Sequence, residues 1–137
     1  MPISSVIQNS AKADLLRAGS NFNTAGGTPA GHAFKIALYT NSTTIDTTTT
    51  AYGGPSNEVS GAGYSSGGNA LTNTGVGTTT VTSFTDFSDT SWTSASFTAR
   101  GCLIYNTTAI TGLTANRAVC SIDFGGDKTV SSGTFTI

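Results

Sequence analysis

The clearest pattern in the chain is the alternation of side chains over FKIALYT, residues 34–40. Phe34, Ile36 and Leu38 fall on one face of an extended segment, and the residues between them fall on the other face. Period-two alternation of this kind is typical of a strand with one face in the core. The sequence therefore predicts a half-buried strand here.

A second pattern predicts a hairpin made of residues 94–105 and 117–124. The middles of these segments, CLIY and AVCSIDF, are apolar at successive positions, which is typical of central strands covered on both faces. Gly-Gly-Asp-Lys at 125–128 is expected to form a turn, and residues 129–137 are expected to supply a final strand.

The middle of the chain predicts shorter strands at 70–74 and 78–84, with Gly75 and Gly77 in the turn between them. An edge strand is expected near residues 58–60, and an irregular aromatic corner at 84–92. The total of six to eight strands favours a mainly β fold. We expect one domain over residues 1–137, in which residues 34–137 form a sandwich or jelly-roll-like body.

The start of the chain predicts one helix, over residues 4–18, within an arm of residues 1–20. Apolar side chains recur there at spacings of three and four. Ser4 or Ser5 is expected to cap the helix, and Gly19 is expected to end it. A helix of this length is marginal alone, so we expect it to dock on the sheet or on a neighbouring subunit.

Composition narrows the classes of partner. Charged residues make up 9% of the chain and the net charge is −1, against about 25% charged residues in ordinary soluble proteins. Nucleic-acid binding requires clustered Lys and Arg, and here the basic residues are scattered. The low charge predicts a surface that packs against copies of the chain or against a partner.

The sequence predicts neither a secretory signal nor a membrane span. No basic segment followed by an apolar one opens the chain, and no run of about 18 apolar residues occurs. We therefore expect synthesis in a cytoplasm, followed by residence there or in an assembly.

Titratable residues give weak support for catalysis. His32 is the only histidine, and the acids around it lack metal-ligand spacing. A Ser-His-Asp triad converges only in space and stays open, although no GxSxG pattern occurs. Glu58 and Asp86 are candidates for paired carboxylates only because acids are few. The expectation is a non-enzymatic protein without metal or cofactor, in which His32 is structural.

Cys102 and Cys120 raise the question of a disulfide. If the hairpin turned at Thr111-Gly112, the two residues would face each other at about 4.5–5.5 Å between Cα atoms. The alternative, which we favour, is two buried thiols. No CxxC spacing indicates zinc.

Two further groups have a binding and a structural interpretation. Asp123 and Asp127 could line a calcium loop, but two carboxylates beside Lys128 fit a strand-ending turn better. Trp92 could form a sugar-stacking platform with Tyr52 and Tyr64, but a single Trp is more often an anchor in a core or an interface.

Two long stretches resemble a recurrent type of small tailed-bacteriophage virion protein. They are KIALYTNSTTIDTTTTAYGGPSNEVSGAGYSSGGNALT, residues 35–72, and FTARGCLIYN…RAVCSIDFGGDKTVSSGTFTI, residues 97–137. Members of this family typically show a KIALYT strand, an AY…NEVSGTGY…GG segment, TARGALIYN, and RAVAVLDFG.D before a closing FT strand. The two cysteines stand where the family has small apolar residues, and NFNTAGGTPAGHAFK is longer than usual.

The resemblance implies a capsid decoration (cement) protein. Such a protein is a β-sandwich, commonly a homotrimer, that binds the major capsid protein on the outside of the head. A tail or fibre component that binds a host receptor or glycan, with Tyr52 and Tyr64 as contacts, is the alternative. Under the decoration hypothesis, the first candidates for subunit or capsid contact are the apolar residues of the arm: Ile3, Val6, Ile7, Leu15 and Leu16.

Overall fold

The computed structural model describes residues 2–137, which form seven strands and one helix. In chain order the elements are β1 (Val6–Ile7), α1 (Asn9–Leu16), β2 (Phe34–Tyr39), β3 (Asn69–Leu71), β4 (Asn73–Thr78), β5 (Ser83–Phe87), β6 (Ser91–Asn106) and β7 (Arg117–Thr136). The prediction of a mainly β chain with a short N-terminal helix is confirmed.

The strands form two antiparallel sheets, as a β-sandwich requires. The larger sheet has the order β1-β7-β6-β2-β3, and β4 and β5 form a separate two-stranded hairpin. The prediction of a central strand is confirmed for β6, which lies between β7 and β2. It holds for β7 only at Cys120 and Ser121, where the short strand β1 pairs with its other edge. No helix within residues 2–137 has the length and apolar character needed to cross a membrane.

The larger sheet is buried on both faces. On one face Ile36, Leu38 and Ile104 belong to a first core that also contains Trp92 and Phe97. On the other face a second core gathers the remaining strand residues with two from outside the strands: Ala37, Tyr39, Leu103, Tyr105, Ala118, Ile3 and Ile45. The strand at residues 34–39 is therefore buried at every position except Lys35, which is half-buried, because the arm and the loop after β2 cover its second face.

The long strand β6 keeps its apolar residues in the first core by changing the face that they occupy. Phe97 and Cys102 are five residues apart and would point to opposite faces of a regular strand, yet both belong to the first core. The register shifts between Ala99 and Gly101. A bulge moves the alternation by one residue, and β6 bends so that both of its halves cover the same core.

The predicted turn at residues 125–128 is wrong. Gly101 pairs with Asp123 and Ala99 pairs with Lys128, so four residues of β7 stand opposite one residue of β6. Gly125 adopts a φ of 73°, which is the left-handed conformation that a turn or a bulge uses equally well. The segment is a four-residue bulge in one continuous strand.

The predicted turn at Gly75 and Gly77 is also wrong, because both glycines lie within β4. The chain reverses over residues 79–82, where the Thr79 N–H donates to the Thr82 carbonyl at 2.7 Å. The expected aromatic corner at 84–92 is in large part regular strand. The expected edge strand near residue 58 is present as a single bridge between Glu58 and Tyr39.

The helix is shorter than predicted. It begins at Asn9, because Val6 and Ile7 pair with β7 as strand β1. Gln8 holds the N-cap position without a side-chain bond, so neither serine serves as the cap. At the other end Ala18 has the left-handed φ of 55°, and the Gly19 N–H donates to the Asp14 carbonyl at 2.6 Å. Strand pairing of residues 6–7 removes the first turn that the apolar spacing suggested.

Candidate functional site

The five predicted contact residues of the arm fall into two groups. Ile7, Leu15 and Leu16 are exposed, and Leu16 keeps 91% of its surface accessible. Ile3 is buried in the second core, and Val6 is half-buried in β1. The structure therefore gives Ile3 a role in the chain's own core and leaves Ile7, Leu15 and Leu16 free to meet a neighbour.

A groove with a volume of about 820 Å³ lies beside these exposed residues. It runs between α1, the loop that follows α1 and the β4–β5 hairpin. Its apolar walls come from Ile7, Leu15, Phe22, Val76 and Phe84. None of the described residues that line it is an Asp, Glu, Lys or Arg, so an uncharged partner fits it best.

We use the term apolar surface for Ile7, Leu15, Val76 and Phe84, which line the groove. All four are more than half exposed. Large apolar side chains that gather on one side of a small protein usually mark an interaction site. The sequence indicated the two residues of the arm, Ile7 and Leu15. It did not indicate Val76 and Phe84, which look like ordinary core residues of two short strands.

The helix exposes its leucines because its inner face is made of small and polar residues. Ala11 and Asp14 are the buried residues of α1, whereas Leu15 and Leu16 point outward. An apolar stripe normally faces the core of a monomer. In α1 this placement is reversed, and the leucines are left exposed.

His32 has a structural position. Its Nδ1 accepts hydrogen bonds from the Asn106 side-chain amide at 2.9 Å and from the Asn21 N–H at 3.3 Å. Burial lowers the pKa of His32, and the positive charge of Arg117 lowers it further. The His32 ring accepts two amide hydrogens and thereby links β6 to the loop before β2. No hydroxyl nucleophile contacts it among the hydrogen bonds of the described residues.

Glu58 binds the two tyrosines that the glycan hypothesis singled out. Its carboxylate accepts from the hydroxyls of Tyr52 and Tyr64, each at 2.7 Å. It also accepts from the Gly67 N–H at 2.7 Å and from the Ser66 hydroxyl at 3.0 Å. We call this group the Glu58 clasp. Burial raises the pKa of Glu58, but the four hydrogen bonds outweigh burial and hold it below its ordinary value.

One face of each tyrosine ring is covered by another aromatic side chain of the protein. Tyr52 stacks on Tyr105 with ring centroids 4.6 Å apart, and Tyr64 stacks on Trp92 at 6.1 Å. The predicted anchor role of Trp92 is confirmed, since only 3% of it is exposed. Tyr52 and Tyr64 thus fasten the Gly-rich loop to the sheet, and both are half-buried.

The two cysteines are free thiols, as favoured. They are not directly opposite each other: Cys102 pairs with Ile122, and Cys120 pairs with Ile104. The predicted register was wrong by two residues. Burial raises the pKa of Cys102 to about 12 and that of Cys120 to about 11. Both thiols are therefore protonated and unreactive at neutral pH.

The acids of the proposed calcium loop bind an arginine instead. Asp123 accepts from Arg100 Nε at 2.8 Å and from the Gly125 N–H at 3.0 Å. Asp127 lies 3.9 Å from Arg100 and accepts from the Asn41 amide at 3.1 Å. These contacts hold the four-residue bulge of β7 against Arg100 and Asn41. Within residues 2–137, no three His, Cys, Asp or Glu side chains gather in a way that could hold a metal ion.

The apolar surface is therefore the feature of the described residues that is best suited to an intermolecular role. The polar side chains considered above as candidate sites, His32, Glu58 and Asp123, are occupied by contacts inside the chain. A comparison of the chain with protein-family models, with curated proteins and with solved structures found no match.

Proposed function

We propose that this protein is a non-enzymatic structural protein of a bacteriophage virion. Within that class, we propose a capsid decoration protein that binds the major capsid protein on the outside of the head as a homo-oligomer, with a homotrimer favoured. The class comes from the resemblance of residues 35–72 and 97–137 to small virion proteins. The apolar surface is the observation that carries the assembly role.

The character of the apolar surface supports this proposal. An uncharged, apolar contact gains stability mainly from burial, at about 25 cal/mol for each Å² removed from water. Leu15 and Phe84 are large side chains in a groove that no Asp, Glu, Lys or Arg of the described residues lines. A protein that binds only the assembled shell stabilises that shell by mass action.

Heads that lack the protein allow a direct test. Purified protein is added to them, and the bound fraction is measured by co-sedimentation. The wild type is expected to bind and to raise the temperature at which the heads release DNA. The variant Leu15→Gln should lose at least tenfold in affinity, because it places an amide in the apolar contact.

Lys128→Gln is the matched control, since it places the same side chain on an exposed position that does not line the groove. It should bind like the wild type. Circular dichroism establishes that both variants are folded. Wild-type protein that fails to bind heads would overturn the decoration role. Equal binding of the two variants would mean that Leu15 is not part of the contact.

A further inference from the structure

A small polar cavity, with a volume of about 130 Å³, lies between α1 and the segment that leads into β7. It is separate from the apolar surface and faces the other side of the helix. Its polar lining comes from two arginines, one aspartate and hydroxyl residues: Arg17, Arg117, Asp14, Ser10, Thr50 and Thr114. Arg117 and Asp14 are almost completely buried, with 2% and 4% of their surfaces exposed.

Arg117 is held mostly by backbone carbonyls. Its Nη1 donates to the carbonyls of Thr108 and Thr114, both at 3.2 Å, and its Nη2 donates to the carbonyl of Gly19 at 2.8 Å. Its Nε lies 3.4 Å from Asp14 Oδ2. That contact is an ion pair without hydrogen-bond geometry, so the Nε–H has no acceptor within residues 2–137.

Two more groups at the same cavity are unsatisfied within the described chain. The Ser10 hydroxyl is buried and has no hydrogen-bond partner. The Asp14 carboxylate receives no hydrogen bond from residues 2–137; its other ionic contact is Arg17 at 3.7 Å. A buried charge that is paired but not hydrogen-bonded is costly. Two charged groups and one hydroxyl that lack hydrogen-bond partners around one cavity indicate a shared ligand.

The chemistry of the three groups selects that ligand. Arg117 Nε needs an acceptor, Asp14 needs a donor, and the Ser10 hydroxyl can do either. The Asp14 carboxylate repels an anion, and the two arginines repel a cation. A small neutral molecule that donates and accepts is required. Water fits, since each water occupies about 30 Å³ and needs two to four polar partners.

We propose that this cavity is an internal water site in which ordered water bridges Arg117 Nε, the Asp14 carboxylate and the Ser10 hydroxyl. The bridge converts a poorly directed ion pair into a hydrogen-bonded link between α1 and β7. It fixes the helix from its inner side while Leu15 and Leu16 remain outside. This inference does not depend on the proposed function.

A high-resolution crystal structure of the full chain tests the proposal. The expected result is electron density for water within about 3.2 Å of Arg117 Nε and of the Asp14 carboxylate. Density for an ion, or a direct hydrogen bond between Arg117 Nε and Asp14 with no water in the cavity, would overturn it.

Two variants give an independent readout in solution. Ala and Leu have similar helix propensities, so Ser10→Ala and Ser10→Leu differ mainly in how far they fill the cavity. If water bridges the ion pair, Ser10→Leu displaces it and unfolds at a lower temperature than Ser10→Ala. A dry cavity would reverse this order, because filling it would stabilise the fold.

Discussion

Among single residues, Glu58 gathers the polar groups of the irregular segment around it. Its carboxylate collects Tyr52, Tyr64, Ser66 and Gly67, and the Tyr64 hydroxyl in turn accepts from the Leu38 N–H at 2.9 Å. The Glu58 clasp thus anchors a glycine-rich loop to the central sheet. Hydrogen bonds to a charged acceptor contribute about 1.5–3 kcal/mol each.

The exchange Glu58→Gln should lower the free energy of unfolding by about 2 kcal/mol. The amide has one acceptor oxygen, and its NH₂ group would face two donors. Denaturant unfolding at pH 7 measures the change. Asp89→Asn is the control, since Asp89 is exposed and its side chain makes no hydrogen bond or ion pair with the described residues; it should change stability by less than about 0.5 kcal/mol. Equal effects would contradict the role of the clasp.

His32 should make stability depend on pH between 7 and 5. Its pKa in the folded protein lies below the ordinary value of 6.5, so the unfolded chain binds the proton more readily. The contribution is present above pH 6.5 and is lost as the pH falls towards the folded pKa.

Unfolding free energies measured across this window should fall for the wild type and stay level for His32→Gln, which cannot titrate. Asp and Glu side chains titrate mainly below the window. The same slope in both proteins would mean that His32 is not the group responsible.

Sequence reasoning succeeded for residues whose environment follows from their type. Trp92 was expected to be an anchor and Cys102 a buried thiol, and both are. Sequence reasoning failed for Ile3, which was expected at a subunit or capsid contact and lies in the second core. It also did not find the partners of Arg117. Arg117 binds Gly19 across 98 positions of chain. Such contacts depend on how the loops close, and local periodicity carries no information about that.

Among the strands, β6 and β7 determine the shape of the domain. Their existence and central position were predictable from CLIY and AVCSIDF. The full length of β7 was not predictable, because Gly and Asp residues such as Gly125 and Asp127 are typical of turns and of bulges alike. The bulge opposite Arg100 moves the alternation to the other face, and this lets one hairpin supply both halves of the first core.

Gly101, at that bulge, has no room for a side chain. A Cβ there would lie 2.5 Å from the Ile122 carbonyl oxygen and 2.9 Å from Ile3 Cδ1. Gly101→Ala should therefore destabilise the fold by about 1–3 kcal/mol. Gly126→Ala is the matched control in the same bulge, where a Cβ would meet nothing within 4 Å, and it should be close to neutral. Thermal unfolding of the two variants compares them, and similar losses would contradict the packing at the bend.

The molecule as a whole combines a well-buried sheet with an uncovered apolar surface on one side. The charge-poor composition predicted a surface that packs against copies of the chain or against a partner. The apolar residues of the arm predicted part of the position of that surface. The contribution of the β4–β5 hairpin became visible only in three dimensions, because Val76 and Phe84 approach α1 through a separate sheet. A groove without Asp, Glu, Lys or Arg among its described lining residues is what we expect of a protein that works in an assembly.

The number of copies in purified virions tests the proposed role most directly. Quantitative mass spectrometry against the major capsid protein provides it. We expect a ratio near one copy per capsid subunit, or a simple fraction such as one trimer at each local threefold position. A few copies per particle would place the protein in the tail or in a fibre, and its absence from particles would contradict any virion role.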